Sequence, residues 1–64
     1  MTIEQNLKTY IDDHAVSISA LSEKSGVSTI RLRRILNEGI KVKADELVSI
    51  TNVLGIKVED LCNE

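Results

Sequence analysis

Apolar positions along this chain recur three and four residues apart, in short segments separated by glycines and by small polar residues. Ile3, Leu7, Tyr10 and Ile11 form one stripe, and Thr2-x-x-Gln5 before them has the spacing of a capping box, so a first helix is expected over about 3–13. Ser17 can cap a short second helix that carries Ile18 and Leu21 and must end at Gly26. Ser28 is the expected N-cap of a third helix, about 29–37, with Leu32, Ile35 and Leu36 turned inward. Gly39 opens a loop that runs through Lys41. A fourth helix is expected over about 44–54, with Asp45 and Glu46 in the first turn, where acids suit the helix dipole. It turns Leu47, Ile50 and Leu54 inward and stops at Gly55. Val58 and Leu61 anchor a last helical turn over about 58–63. No segment shows the two-residue alternation of a strand, so the expected fold is all-α, a compact miniature of five helices.

Composition supports this reading and narrows the function. The 64 residues make one domain, 1–64, with neither a linker nor an internal repeat. A chain this short buries only about 60% of its unfolded surface, and helix packing or oligomerisation must make up the margin. Proline, phenylalanine and tryptophan are absent and Tyr10 is the one aromatic, so the core is aliphatic. With a single cysteine, Cys62, neither an intrachain disulfide nor a zinc cluster can form. Cys62 itself reads as a small hydrophobe in the last turn. No apolar run approaches the roughly 20 residues of a membrane span, and the N-terminus lacks the layout of a signal peptide. A cytoplasmic protein is expected.

Charge changes the picture. The chain is mildly acidic, at −2 and pI near 5.3, but its charges are segregated. From Lys24 to Lys43 there are six cations and one acid, Glu38, a local charge of +5. The rest of the chain carries −7. Three of the eight basic residues fall within four positions, Arg31, Arg33 and Arg34, at the heart of the expected third helix. A solvated helix face would pair such arginines with acids three or four residues away. Positions 29–37 contain none, and Arg34 with Glu38 is the one available i,i+4 pair.

The second and third expected helices are joined by Ser25-Gly26-Val27, too tight a turn for an antiparallel hairpin. A short turn with glycine fits helices crossing at a large angle, the helix-turn-helix, here about 17–37. Small Ser22 lies where two helix backbones approach, and Val27, Leu32 and Ile35 pin the third helix over the first two. Ser17 through Ile35, together with Leu47, Ile50, Leu54, Ile56 and Leu61, resembles the phage repressor/Cro-type helix-turn-helix, also called the Xre family. The resemblance covers about residues 3–62, with Glu23-Lys24-x-Gly26-Val27-Ser28 and Gly55-Ile56 as its most specific wording. It implies a five-helix domain whose third helix enters the DNA major groove. The chain departs from the family's wording at several places. Ile18 stands where glutamine is common, so that DNA contact is not carried over. Ser22 replaces alanine, Leu36 replaces a glutamate, Gly39 comes one residue later than usual, and the proline near the start of helix four is absent.

At about 100° per residue, Thr29, Ile30, Arg33, Arg34 and Asn37 fall within an arc of roughly 140°, opposite Leu32, Ile35 and Leu36. These residue types suit a groove. Arginine forks onto guanine, asparagine onto adenine, threonine bonds or touches, and isoleucine packs on a thymine methyl. Thr29, Ile30, Arg33, Arg34 and Asn37 are therefore the candidate base readers, with partial burial an equal alternative for Ile30. Ser28, at the helix N-terminus, Arg31 on the flank, and Lys41 and Lys43 in the following loop are candidates for the DNA backbone. Ser17 joins them by the resemblance. Tyr10 reads as core, and His14 as a surface residue satisfying carbonyls at the end of helix one.

The sequence holds no nucleophile–base pair, paired catalytic carboxylates, phosphate loop or metal-ligand set, so neither an enzyme, a cofactor nor a small-molecule ligand is expected. The expected function is a sequence-specific regulator of transcription bound to double-stranded DNA, of the small prophage or mobile-element repressor type, occluding its operator as a homodimer on matched half-sites. Two other readings stay open. One is a protein-interaction module of antitoxin or antirepressor type, favoured by the acidic remainder and by Ile18. The other is the DNA-binding part of a larger regulator.

Overall fold

The computed structural model describes residues 2–62. Among them it has no strand, and its helices run in the order α1 (Ile3–Asp13), α2 (Ile18–Ser25), α3 (Thr29–Arg33), α4 (Ala44–Leu54) and α5 (Val58–Cys62), with α3 extended by a π-helical turn, Arg34–Glu38. The part of the expected last turn at residue 63 lies outside the described residues.

Caps set these boundaries as expected. Thr2 Oγ1 accepts from Gln5 N at 3.1 Å, while the Gln5 side chain accepts from Thr2 N at 3.1 Å, a reciprocal capping box. Ser17 Oγ accepts from Ala20 N at 3.3 Å and Ser28 Oγ from Arg31 N at 3.1 Å. α2 ends at Gly26, left-handed at φ 79°, whose N–H returns to the Ser22 carbonyl. That residue reverses the chain between α2 and α3, since the left-handed region penalises any residue with a Cβ.

The core is one cluster reached by every helix. Leu7, Leu21, Leu32, Ile35 and Ile50 are essentially without exposure, and Ile11, Val27, Val42, Leu47 and Leu61 pack around them. Burying a residue of this kind contributes about 1.5–3 kcal/mol over leaving it exposed. Val42 and Thr51 are buried although the apolar pattern does not mark them, Thr51 being a polar residue on the inward stripe of α4. Val42 sits in the loop after the π turn, where no helical period applies. Thr51 satisfies its hydroxyl within α4, donating to the carbonyls of Leu47 at 2.9 Å and Val48 at 3.0 Å.

Two expected apolar positions are corrected. Tyr10 is half-exposed, its ring stacked on His14 at 4.0 Å between centroids, and exposed His14 places Nδ1 3.0 Å from the Tyr10 carbonyl. Cys62 is exposed, because Leu61 takes the inward position of α5. Leu36 and Leu54 turn inward as expected and, like Ile18, are partly buried against the edge of the cluster. No helix among the described residues is long and apolar enough to cross a membrane.

Candidate nucleic-acid interface

α3 owes its orientation to one buried side and three polar ties. Leu32 and Ile35 reach the centre of the core, which turns the opposite side of the helix to solvent. On that side Ile30 is 67% exposed, and Arg33, Arg34 and Asn37 are exposed as well. Thr29 is half-buried. Ile30 is thus an exposed large apolar residue, and packing within the domain leaves most of it uncovered. Among the described residues, Arg33 and Arg34 form no ion pair, Glu38 included.

The outward residues do not all gather at one point. Arg33 and Asn37 line an open pocket together with apolar Ile11, Val16, Ile18 and Leu36 and with Lys8 and Asp12 of α1. Ile18, in the position where glutamine is common, thus gives Arg33 an apolar neighbour instead of an amide. The π turn adjusts Asn37 further. An i→i+5 turn holds one residue more than an α turn, so Asn37 is set back around the axis from the position an unbroken α-helix would give it. The same extra residue explains why Gly39 comes one position late: the widened turn absorbs it before Gly39 leaves the helix at φ 68°.

Arg31 has a different environment from the other two arginines. Its Nε donates to Glu46 Oε2 at 2.9 Å and its Nη2 to Glu46 Oε1 at 3.1 Å, a side-on fork between α3 and α4. Nη2 also donates to the Lys41 carbonyl at 3.0 Å. The hydrogen bond to Arg31 pulls the Glu46 carboxyl below its ordinary value of 4.5, against the cost of partial burial, and the Lys43 N–H acts in the same direction. The same bond raises the Arg31 guanidinium further above its already high ordinary value. The cation read in sequence as a candidate for the DNA backbone is therefore already engaged within the domain. No sequence signal near Arg31 shows this, since its partner lies fifteen positions away on another helix.

Ser17, Ser28, Lys41 and Lys43 are all exposed. The two lysines flank buried Val42, so the extended loop alternates its side chains outward, inward and outward. Among the described residues no group of acids, histidines and cysteine is arranged to hold a metal ion.

A tight glycine turn between two short helices, with an apolar inner side and an exposed basic outer side on the second, is the arrangement of a helix-turn-helix. The sequence profile of the Cro/C1-type HTH DNA-binding domain matches residues 6–63. The chain belongs to that family. No curated protein and no solved structure matches it. In this Cro/C1-type domain the turn is Gly26, the second helix of the motif is α3, and the charges segregated in the sequence lie around α3 and the loop that follows it.

Proposed function

We propose that this Cro/C1-type domain is a sequence-specific regulator of transcription, a small repressor of prophage or mobile-element type acting in the cytoplasm by operator occlusion. α3 lies in the major groove. Arg33, Arg34, Asn37, Thr29 and Ile30 face base edges, and Ser17, Ser28, Lys41 and Lys43 meet the phosphates on either side. The observation that carries this reading is the outer side of α3. Two arginines with no ion-pair partner among the described residues and an isoleucine 67% exposed share a helix whose other side buries Leu32 and Ile35 completely. An exposed isoleucine among cations has no folding role, whereas the floor of a major groove offers both phosphates and thymine methyls.

The regulator is proposed to act as a homodimer on DNA, since one module spans few base pairs and matched half-sites multiply affinity. Site selection from random duplexes, followed by binding across a salt series, tests the whole reading. The expected result is an enriched palindrome, a negative salt slope, and loss of selective binding in Arg33→Ala and Arg34→Ala with helicity unchanged. A folded domain that binds no duplex at low salt would overturn it in favour of a protein-interaction module. One protomer per selected site would overturn the two-fold arrangement alone.

A further inference from the structure

We infer that Glu46 is a positioning residue for DNA recognition: its fork withdraws Arg31 from the DNA and fixes the Lys41–Lys43 loop against the reading helix. The inference rests on the DNA-reading proposal above and adds a residue that makes no DNA contact in it.

One carboxylate joins three elements. Glu46 Oε2 accepts from Arg31 Nε in α3, and Oε1 accepts both from Arg31 Nη2 and from Lys43 N at the start of α4, the latter at 2.9 Å. The Arg31 guanidinium then reaches the Lys41 carbonyl. From the opposite side, Val42 N donates to Glu4 Oε2 of α1 at 3.0 Å while the Val42 side chain is buried. The loop is held at three consecutive residues, and the outward lysines are carried by a backbone with no freedom to slide along α3. Spacing between base-reading side chains and phosphate-contacting lysines is what fixes the register of a protein on a duplex.

The fork differs from an ordinary surface pair. The Glu46 side chain is only 15% exposed and that of Arg31 30%, and planar two-point geometry gives direction as well as attraction. A cation already neutralised by a carboxylate displaces no counterion from DNA, so Arg31 makes no contribution to the salt dependence of binding. Without Glu46 it becomes a mobile cation beside the reading helix, able to reach any phosphate whatever the sequence.

The test measures binding of the whole domain to its selected duplex and to a random duplex over a salt series. It compares Arg31→Ala, Glu46→Gln, the double variant and Lys43→Ala, with helicity followed by circular dichroism. Arg31→Ala is expected to weaken selected-site binding about tenfold, as for coupled residues, with its salt slope unchanged. Lys43→Ala is expected to reduce that slope by about 0.9, the loss of one phosphate contact. Glu46→Gln is expected to lose selected-site affinity while random-duplex affinity holds or rises, and the double variant to be no worse than Arg31→Ala. Arg31→Lys, which keeps the charge without the fork, covers the case in which the truncations unfold. It too is expected to lose selectivity.

If the ion pair were purely stabilising, its removal would lower the melting temperature and leave the selectivity ratio and slopes untouched, which would overturn the inference. So would a slope reduced by about 0.9 in Arg31→Ala, because that is the mark of a phosphate contact. These outcomes leave the DNA-reading proposal standing. A wild-type domain that selects no site overturns both.

Discussion

Ala15 shows how one residue can hold a helix end at a local cost. α1 closes with Val16 N bonded to the Ile11 carbonyl and Ala15 N to the Asp12 carbonyl, which requires residue 15 to be left-handed, at φ 51°. α4 closes in the same pattern, with Ile56 N on Thr51 and Gly55 N on Asn52, and there the left-handed residue is glycine. Ala15 is the one residue with a side chain that has positive φ among the described residues. Ala15→Gly is accordingly expected to stabilise the domain by about 1 kcal/mol, read as a higher midpoint in urea unfolding. Gly26→Ala is the reverse case: a methyl group there meets nothing within 4 Å, so the loss of about 1 kcal/mol would come from backbone strain alone. Ile30 belongs to the surface, and Ile30→Ala is expected to change stability by less than about 0.5 kcal/mol. Its effect should appear in binding: if it packs on a thymine methyl, replacing thymine by uracil in the selected site weakens wild type and leaves Ile30→Ala unaffected.

At the scale of the element, α3 is short and depends on its neighbours. Five α-helical residues and one π turn are too few to stand alone in water, so packing and caps must hold the helix. Leu32 is fully buried, and Leu32→Ala is expected to cost about 3 kcal/mol, a large share of what a domain of this size has. Ser28→Ala removes the cap on the Arg31 N–H and is expected to cost about 1 kcal/mol in thermal unfolding. α1 plays a similar supporting part. Besides Glu4 on the loop, Asn6 Nδ2 donates to the Leu61 carbonyl, tying α1 to α5 across 55 positions of sequence. The reading side of α3 thus takes its orientation from α2, from α1 against the π turn, and from Glu46 of α4.

For the molecule as a whole, the Arg31–Glu46 fork ties stability to pH. Glu46 titrates lower in the folded domain than its ordinary 4.5, so the folded state binds its proton less readily than the unfolded chain does. Its contribution is complete above the ordinary glutamate range and is lost as pH falls through the depressed folded value. Thermal midpoints are therefore expected to fall from about pH 5 downward, with a shallower fall in Glu46→Gln. A pH profile unchanged by that substitution would show that other carboxylates dominate. Charge segregation is also a property of the whole fold. Two acids of α1 come close to this region, Glu4 at the loop and Asp12 in the pocket that Arg33 lines, so the basic side is confined to the exposed residues of α3 and of the Lys41–Lys43 loop.

What the sequence determined by itself is local. Capping residues, glycines and the 3.6-residue period reside in neighbouring positions, and they set the bounds of α1, α2 and α4 because those bounds are closed by hydrogen bonds spanning three to five residues. The same period separated Leu32 and Ile35 from Ile30, Arg33 and Arg34, since a helix with an apolar stripe has only one way to face a core. The late position of Gly39 was visible too, although a period of 3.6 assumed throughout the helix hid the π turn that accommodates it. Only the tertiary structure decided the rest. Tyr10 stacks on exposed His14 at the surface, Cys62 faces outward while Leu61 takes the inward position, and Val42 enters the core from a loop without a period. Arg31 looked equivalent to Arg33 and Arg34 on the helix, and it is packing that brings Glu46 of α4 within 2.9 Å of it. Ion pairs between distant segments leave no spacing in a sequence, because the chain between them carries the geometry.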